Sequence, residues 1–81
     1  MPGNNYGTSL KKPLLTNQYR FVVYYEDDEG THKTFATWAA LASIATARVT
    51  GWLDEHKPEW ASDPYYLIPR IDRKKQVNFE I

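Results

Sequence analysis

The chain has 81 residues, no cysteine, and ten Lys plus Arg against ten Asp plus Glu. That composition excludes disulfide staples and thiolate metal sites, and zero net charge argues against a sequence-independent nucleic-acid binder, whose affinity rests on neutralising phosphates. A chain this short supports one thin core, burying only roughly 60–65% of its unfolded surface. Three Trp, six Tyr and three Phe supply large buried areas for that core.

Residues 1–17 (MPGNNYGTSLKKPLLTN) are rich in Gly, Pro, Asn, Ser and Thr without periodicity, and read as a flexible N-terminal arm ahead of a single domain over 18–81. The arm has no apolar signal-like core, and no apolar run approaches the length of a membrane span. A cytoplasmic protein with no membrane contact is the expectation.

Residues 19–26 (YRFVVYYE) are β-branched and aromatic, which predicts a strand, and THKTF predicts a second after Asp27-Asp28-Glu29-Gly30. A three-residue hairpin loop with Gly30 in the left-handed position pairs Val23 with Phe35 and Tyr25 with Lys33. It gathers Phe21, Val23, Tyr25 and Phe35 on one face and Arg20, Val22, Tyr24, Glu26, His32 and Thr34 on the other. A longer loop scatters the apolar residues over both faces.

Thr37 is a candidate N-cap for a helix from Trp38 to about His56. Trp38, Leu41, Ala42, Ala45, Val49, Trp52 and Leu53 fall in one stripe about 120° wide, suited to cover the apolar face of the hairpin. Pro58 ends that helix and suits the first position of a further turn, Pro58-Glu59-Trp60-Ala61. Residues 65–71 (YYLIPRI) and 76–81 (QVNFEI) read as two more strands, joined as a hairpin by Asp72-Arg73-Lys74-Lys75. Pro69 places the first of these at an edge, at a bulge or at a break. The fold class is therefore α+β: an antiparallel three- or four-stranded sheet with one long helix packed on one face, in the order β-β-α-β(-β).

No catalytic group stands out. Ser9, Ser43 and Ser62 lack a nucleophile-elbow context, His32 and His56 lie on different elements without ligand spacing, and the glycines at 3, 7, 30 and 51 form no phosphate loop. The expectation is a binding protein, neither an enzyme nor a carrier of metal or cofactor. Four surfaces are candidates for binding. The helix face opposite the aromatic stripe holds Ala40, Ser43, Ala47, Thr50 and Gly51, with Arg48 the one charge between Thr37 and Leu53. Such a smooth face lets the N-terminal arm, a second copy of the domain or a foreign partner approach closely. The acidic turn Glu26, Asp27, Asp28 and Glu29 lacks the alternating ligand spacing of a calcium loop and suits a basic partner. The basic segment Arg70, Arg73, Lys74 and Lys75 suits nucleic acid or an acidic protein surface. Tyr24, Trp60, Tyr65 and Tyr66 are candidate aromatic anchors.

Two resemblances attach to these patterns. The stretch YRFVVYYEDDEGTHKTFATWAALA is similar to the strand, D-x-x-G, strand, F-x-T, helix pattern of AP2-like DNA-binding domains, including the arm-binding domains of phage integrases. That likeness implies a sheet that reads DNA, although here two strands rather than three precede the helix. Separately from that likeness, nucleic-acid binding through the sheet is the alternative expectation, with Arg20, Lys33, Arg70, Arg73, Lys74 and Lys75 contacting phosphates. The order β-β-α-β over residues 19–71 also resembles small phage proteins that inhibit host machinery such as bacterial RNA polymerase. It implies a small protein-interaction module, encoded by a phage or mobile element, that binds and modulates a bacterial host complex. Self-association through the smooth helix face, as a homodimer or structural subunit, is the third expectation.

Overall fold

A computed structural model describes residues 17–81. The arm expected over 1–17 lies outside the described residues except for Asn17, which is exposed ahead of the first strand. The elements are β1 (Tyr19–Asp27), β2 (His32–Ala39), α1 (Ala42–His56), α2 (Pro58–Ala61), β3 (Tyr65–Ile71) and β4 (Phe79–Glu80). The domain is α+β, with one long helix packed on a four-stranded sheet ordered β3-β1-β2-β4.

The β1–β2 hairpin has the register that alternation predicts, Val23 opposite Phe35 and Tyr25 opposite Lys33. Its turn is closed by Gly30 N–H donating to the Asp27 carbonyl at 3.2 Å. Gly30 has φ +81°, the left-handed conformation that a glycine adopts without a Cβ penalty. The Asp27 carboxylate locks the turn by accepting from the backbone N–H groups of Glu29 and Thr31 at 3.0 and 2.8 Å.

Beyond the hairpin the structure corrects the predicted helix start. Thr37, Trp38 and Ala39 pair with Phe21, Arg20 and Tyr19, so β2 continues through the residues expected to open the helix. Thr37 is a buried strand residue rather than an N-cap, and its Oγ1 has no hydrogen-bond partner among the described residues. The helix starts after Leu41, which supplies no side-chain cap. Trp38, Leu41 and Ala42, expected in the core stripe, are exposed. The buried stripe is Ala45, Val49 and Leu53, at i, i+4 and i+8. These residues close over Phe21, Val23, Tyr25 and Phe35, with Trp52, Trp60, Tyr65, Leu67 and Phe79 around the rim. Phe35 lies among the rings of Tyr25, Trp52 and Phe79, with centroids 5.1–6.5 Å away.

The predicted β3–β4 hairpin does not form. β3 pairs antiparallel with β1, and β4 pairs parallel with β2 at the opposite edge of the sheet. Val77, Phe79 and Ile81 nevertheless alternate half-buried against exposed neighbours, as the sequence pattern suggests. Two crossovers follow from this topology. The chain passes from β2 to β3 through α1 and α2, and then returns from β3 to β4 in the opposite direction. Crossovers of one hand that run in opposite directions must use opposite faces of the sheet. Residues 72–78 accordingly lie on the face away from α1. The Arg20 guanidinium there donates to the carbonyls of Lys74 and Lys75, and Tyr24 Oη donates to Asp72 Oδ2 at 2.7 Å. Asn78 ends the crossing as a strand mimic: its Oδ1 accepts from Thr34 N–H at 2.9 Å and its N–H donates to Thr34 Oγ1 at 3.0 Å. The consequence is a second, smaller core. Val22 and Ala36 point away from the helix, yet they are 0% and 3% exposed.

Candidate functional site

The smooth face of α1 is uncovered by the described residues. Ser43, Ala47 and Gly51 are exposed, and a Cβ added at Gly51 meets no atom within 4 Å. Thr50 is half-buried, its hydroxyl donating to the Thr46 carbonyl at 3.1 Å. Ala40 is corrected: it sits half-buried in the β2–α1 corner, ahead of the helix rather than on it. Late helix entry also leaves Leu41 and Ile44 on this surface, whereas Trp38, opposite Arg20 in the β1–β2 pair, alternates to the sheet face away from α1. Leu41 is 60% exposed and Ile44 37%, while Trp38 is 55% exposed on the other side of the sheet. Leu41, Ile44, Ala47 and Gly51 recur at three- and four-residue spacing and so form one stripe. Arg48, next to that stripe, is drawn back to donate to the Trp38 carbonyl. Sequence periodicity missed Trp38 and Leu41 as surface residues because a helix begun at Trp38 puts both on the core stripe, whereas Trp38 belongs to β2 and Leu41 precedes the helix.

The four aromatic candidates separate. Tyr66 is exposed on β3, while Tyr24, Trp60 and Tyr65 are half-buried. Tyr65 stacks on Tyr25 at 5.2 Å, and the Trp60 carbonyl accepts from Tyr25 Oη at 2.9 Å. Lys33 and Lys57 place their ammonium groups 4.8 and 5.0 Å from the Trp60 ring centroid, which covers the indole. Burial is the main cause of a raised Tyr25 phenol pKa, with Asp27, Tyr65, Asp63 and Asp28 adding to it.

The acidic turn divides as well. Asp27 is committed to the turn itself, Glu26 Oε2 lies 3.9 Å from His32 Nε2, and Asp28 and Glu29 are exposed. No group of three or more potential metal ligands occurs among the described residues. The basic residues Arg70, Arg73, Lys74 and Lys75 are all exposed, at the end of β3 and along the crossover rather than on a hairpin loop. An open cleft of about 380 Å³ lies between that crossover and β2, lined by His32, Thr34, Lys74, Gln76 and Asn78 among others. A second, of about 390 Å³, lies between α1 and the β2–β4 side, lined by Thr37, Arg48, Gly51, Trp52, Glu55 and Ile81. Arg20 and Lys33, two of the residues assigned to phosphate contact, are occupied by the crossover carbonyls and by Trp60.

Tyr24 and Asp72 pin the crossover to the sheet. The hydrogen bond from Tyr24 holds the Asp72 carboxyl below its ordinary value, helped by the backbone N–H of Lys74. The same bond raises the Tyr24 phenol. A carboxyl depressed in the folded state contributes stability above its unfolded pKa and loses it as pH falls through the folded value. The pin should therefore hold at neutral pH and release in acid, below the ordinary Asp range near about 4. Following the Asp72 carboxyl by NMR should give a midpoint below the ordinary aspartate value. Tyr24→Phe should move it back toward the ordinary value, and an unchanged midpoint would remove Tyr24 from this role.

No protein-family model, curated protein or solved structure matches the chain. No helix among the described residues is long and apolar enough to cross a membrane.

Proposed function

We propose that this protein is a small protein-interaction module that docks on a partner protein through the outward face of α1. The observation that carries the reading is the stripe Leu41, Ile44, Ala47 and Gly51, which is uncovered by the described residues and has Arg48 as the one charge between Leu41 and Gly51. Solvent-facing helix surfaces ordinarily carry Lys and Glu, and a contiguous apolar patch on a small domain marks a contact surface. Leu41 is the natural anchor, as the most exposed large apolar residue of the stripe. The narrower form of the reading is a phage or mobile-element protein that binds and inhibits a bacterial host complex. It draws on the element order alone and predicts a partner belonging to such a complex.

Affinity capture from bacterial lysate with the full chain tests the proposal. Wild type and Asp28→Lys should retain one stoichiometric partner that Ala47→Glu releases. Capture of nothing under native conditions, or equal capture by Ala47→Glu, would overturn it. Binding that instead depends on Arg70, Arg73, Lys74 and Lys75 and weakens steeply with salt would assign the chain to nucleic acid.

A further inference from the structure

The outer edge of β3 is a second surface, independent of α1. Hydrogen bonding in the hairpin fixes which groups it presents. Asp27 N–H and C=O both bond across to the turn side of β2, so alternate β1 residues from Tyr25 back to Tyr19 face β2, and Val22, Tyr24 and Glu26 face β3. Their β3 partners are Arg70, Ile68 and Tyr66. The intervening residues Tyr65, Leu67, Pro69 and Ile71 thus turn their backbone groups outward. This explains Pro69, whose missing N–H falls on the unpaired side. Among the described residues no strand lies beyond β3. Apolar bulk of this kind is unusual on an open edge: Tyr66, Ile68 and Ile71 are exposed, Ile71 at 67%.

We propose that β3 pairs antiparallel with β3 of a second copy of this chain, about a two-fold axis through Ile68, to make one continuous sheet. Full overlap of the two strands selects this register. It sets Ile68 against its own counterpart and Tyr66 against the second copy's Arg70, a ring against a guanidinium. Ile71 meets the second copy's Tyr65. Beyond the strand ends, Asp63 comes opposite the second copy's Arg73, so the acidic start of each strand faces the basic end of the other. Tyr65 and Ile71 of opposite copies exchange both backbone bonds, and Leu67 N–H donates to the Pro69 carbonyl. Only the donor that Pro69 lacks is missing. A register centred on Pro69 removes both bonds at the axis and strands Tyr66.

Ile68 falls at a non-hydrogen-bonded position of this junction, where opposed Cα atoms lie about 4.5 Å apart, within the range a disulfide spans. The natural chain has no cysteine, so a single introduced thiol reports cleanly. Full-length Ile68→Cys should cross-link almost completely under mild oxidation, whereas Tyr66→Cys, opposite Arg70, should stay near background. Sedimentation of wild type should show a dimer, and Ile68→Lys, with native circular dichroism, should raise its dissociation constant at least about tenfold through like charges at the axis. A strict monomer at high micromolar concentration would overturn the proposal. So would equal cross-linking of the two cysteine variants, or a dimer that survives Ile68→Lys and is lost in Ala47→Glu. Capture of a partner through α1 stands apart from all three results.

Discussion

Phe35→Ala is expected to leave the domain largely unfolded at room temperature. Phe35 is completely buried between Tyr25, Trp52 and Phe79, and sits opposite Val23 in the central strand pair. Removing a buried phenylalanine costs about 3–5 kcal/mol, because the rings around it cannot collapse into the void. A small domain holds only about 5 kcal/mol in total, at the low end of the usual range, so little remains. In urea the unfolding midpoint should fall by at least about 2 M if any transition survives. Trp38→Ala, which removes a larger ring, should change stability by no more than about 0.5 kcal/mol, since Trp38 is 55% exposed. Equal losses from the two variants would return Trp38 to the core and to the start of the helix.

Val22→Lys is the second large effect, and it separates two pictures of the sheet. If the face away from α1 were open, Val22 would lie among polar neighbours and a lysine there would be harmless. With the crossover over it, Val22 is 0% exposed, and the ammonium group would be buried without a partner. The expected loss is about 3 kcal/mol or more, or release of the crossover from the sheet. Limited proteolysis distinguishes the two, because release exposes Arg73, Lys74 and Lys75 to trypsin while the α1 side stays protected. Tyr66→Lys, exposed on the same face, serves as the control and should unfold like wild type. Wild-type stability and trypsin resistance in Val22→Lys would mean that residues 72–78 do not cover this face.

These two contrasts show where local reading succeeds. The hairpin register was legible because its causes are local: Gly30 takes the left-handed position of the turn, and alternation from Phe21 to Phe35 then leaves one register with a single apolar face. The edge position of β3 was legible among the alternatives that Pro69 allows, because a residue without an N–H is tolerated where none is needed. The surface proposed for docking was legible in part. Ser43, Ala47 and Gly51 were visible as a run of small residues, but Leu41, which extends it, carries the same periodic signal as a core residue.

Partner strands decided the rest. Whether Thr37-Trp38-Ala39 begins a helix or continues a strand depends on Tyr19, Arg20 and Phe21, which lie across the sheet and outside any local window. The same holds for the C-terminal segment. Taken alone, residues 65–71 and 76–81 look like a hairpin, yet β1 presents its free edge to β3 and β2 presents its free edge to β4. Two edges of one sheet can be filled by consecutive strands only if the chain between them crosses a face. The hand of that crossing sends it opposite the helix. The sequence by itself determined the α+β class, the hairpin with its turn, and the main core on the helix side. Only the tertiary structure decided which face each crossover takes. It thereby buried Val22 and Ala36, exposed Trp38, and left β3 as an open edge among the described residues.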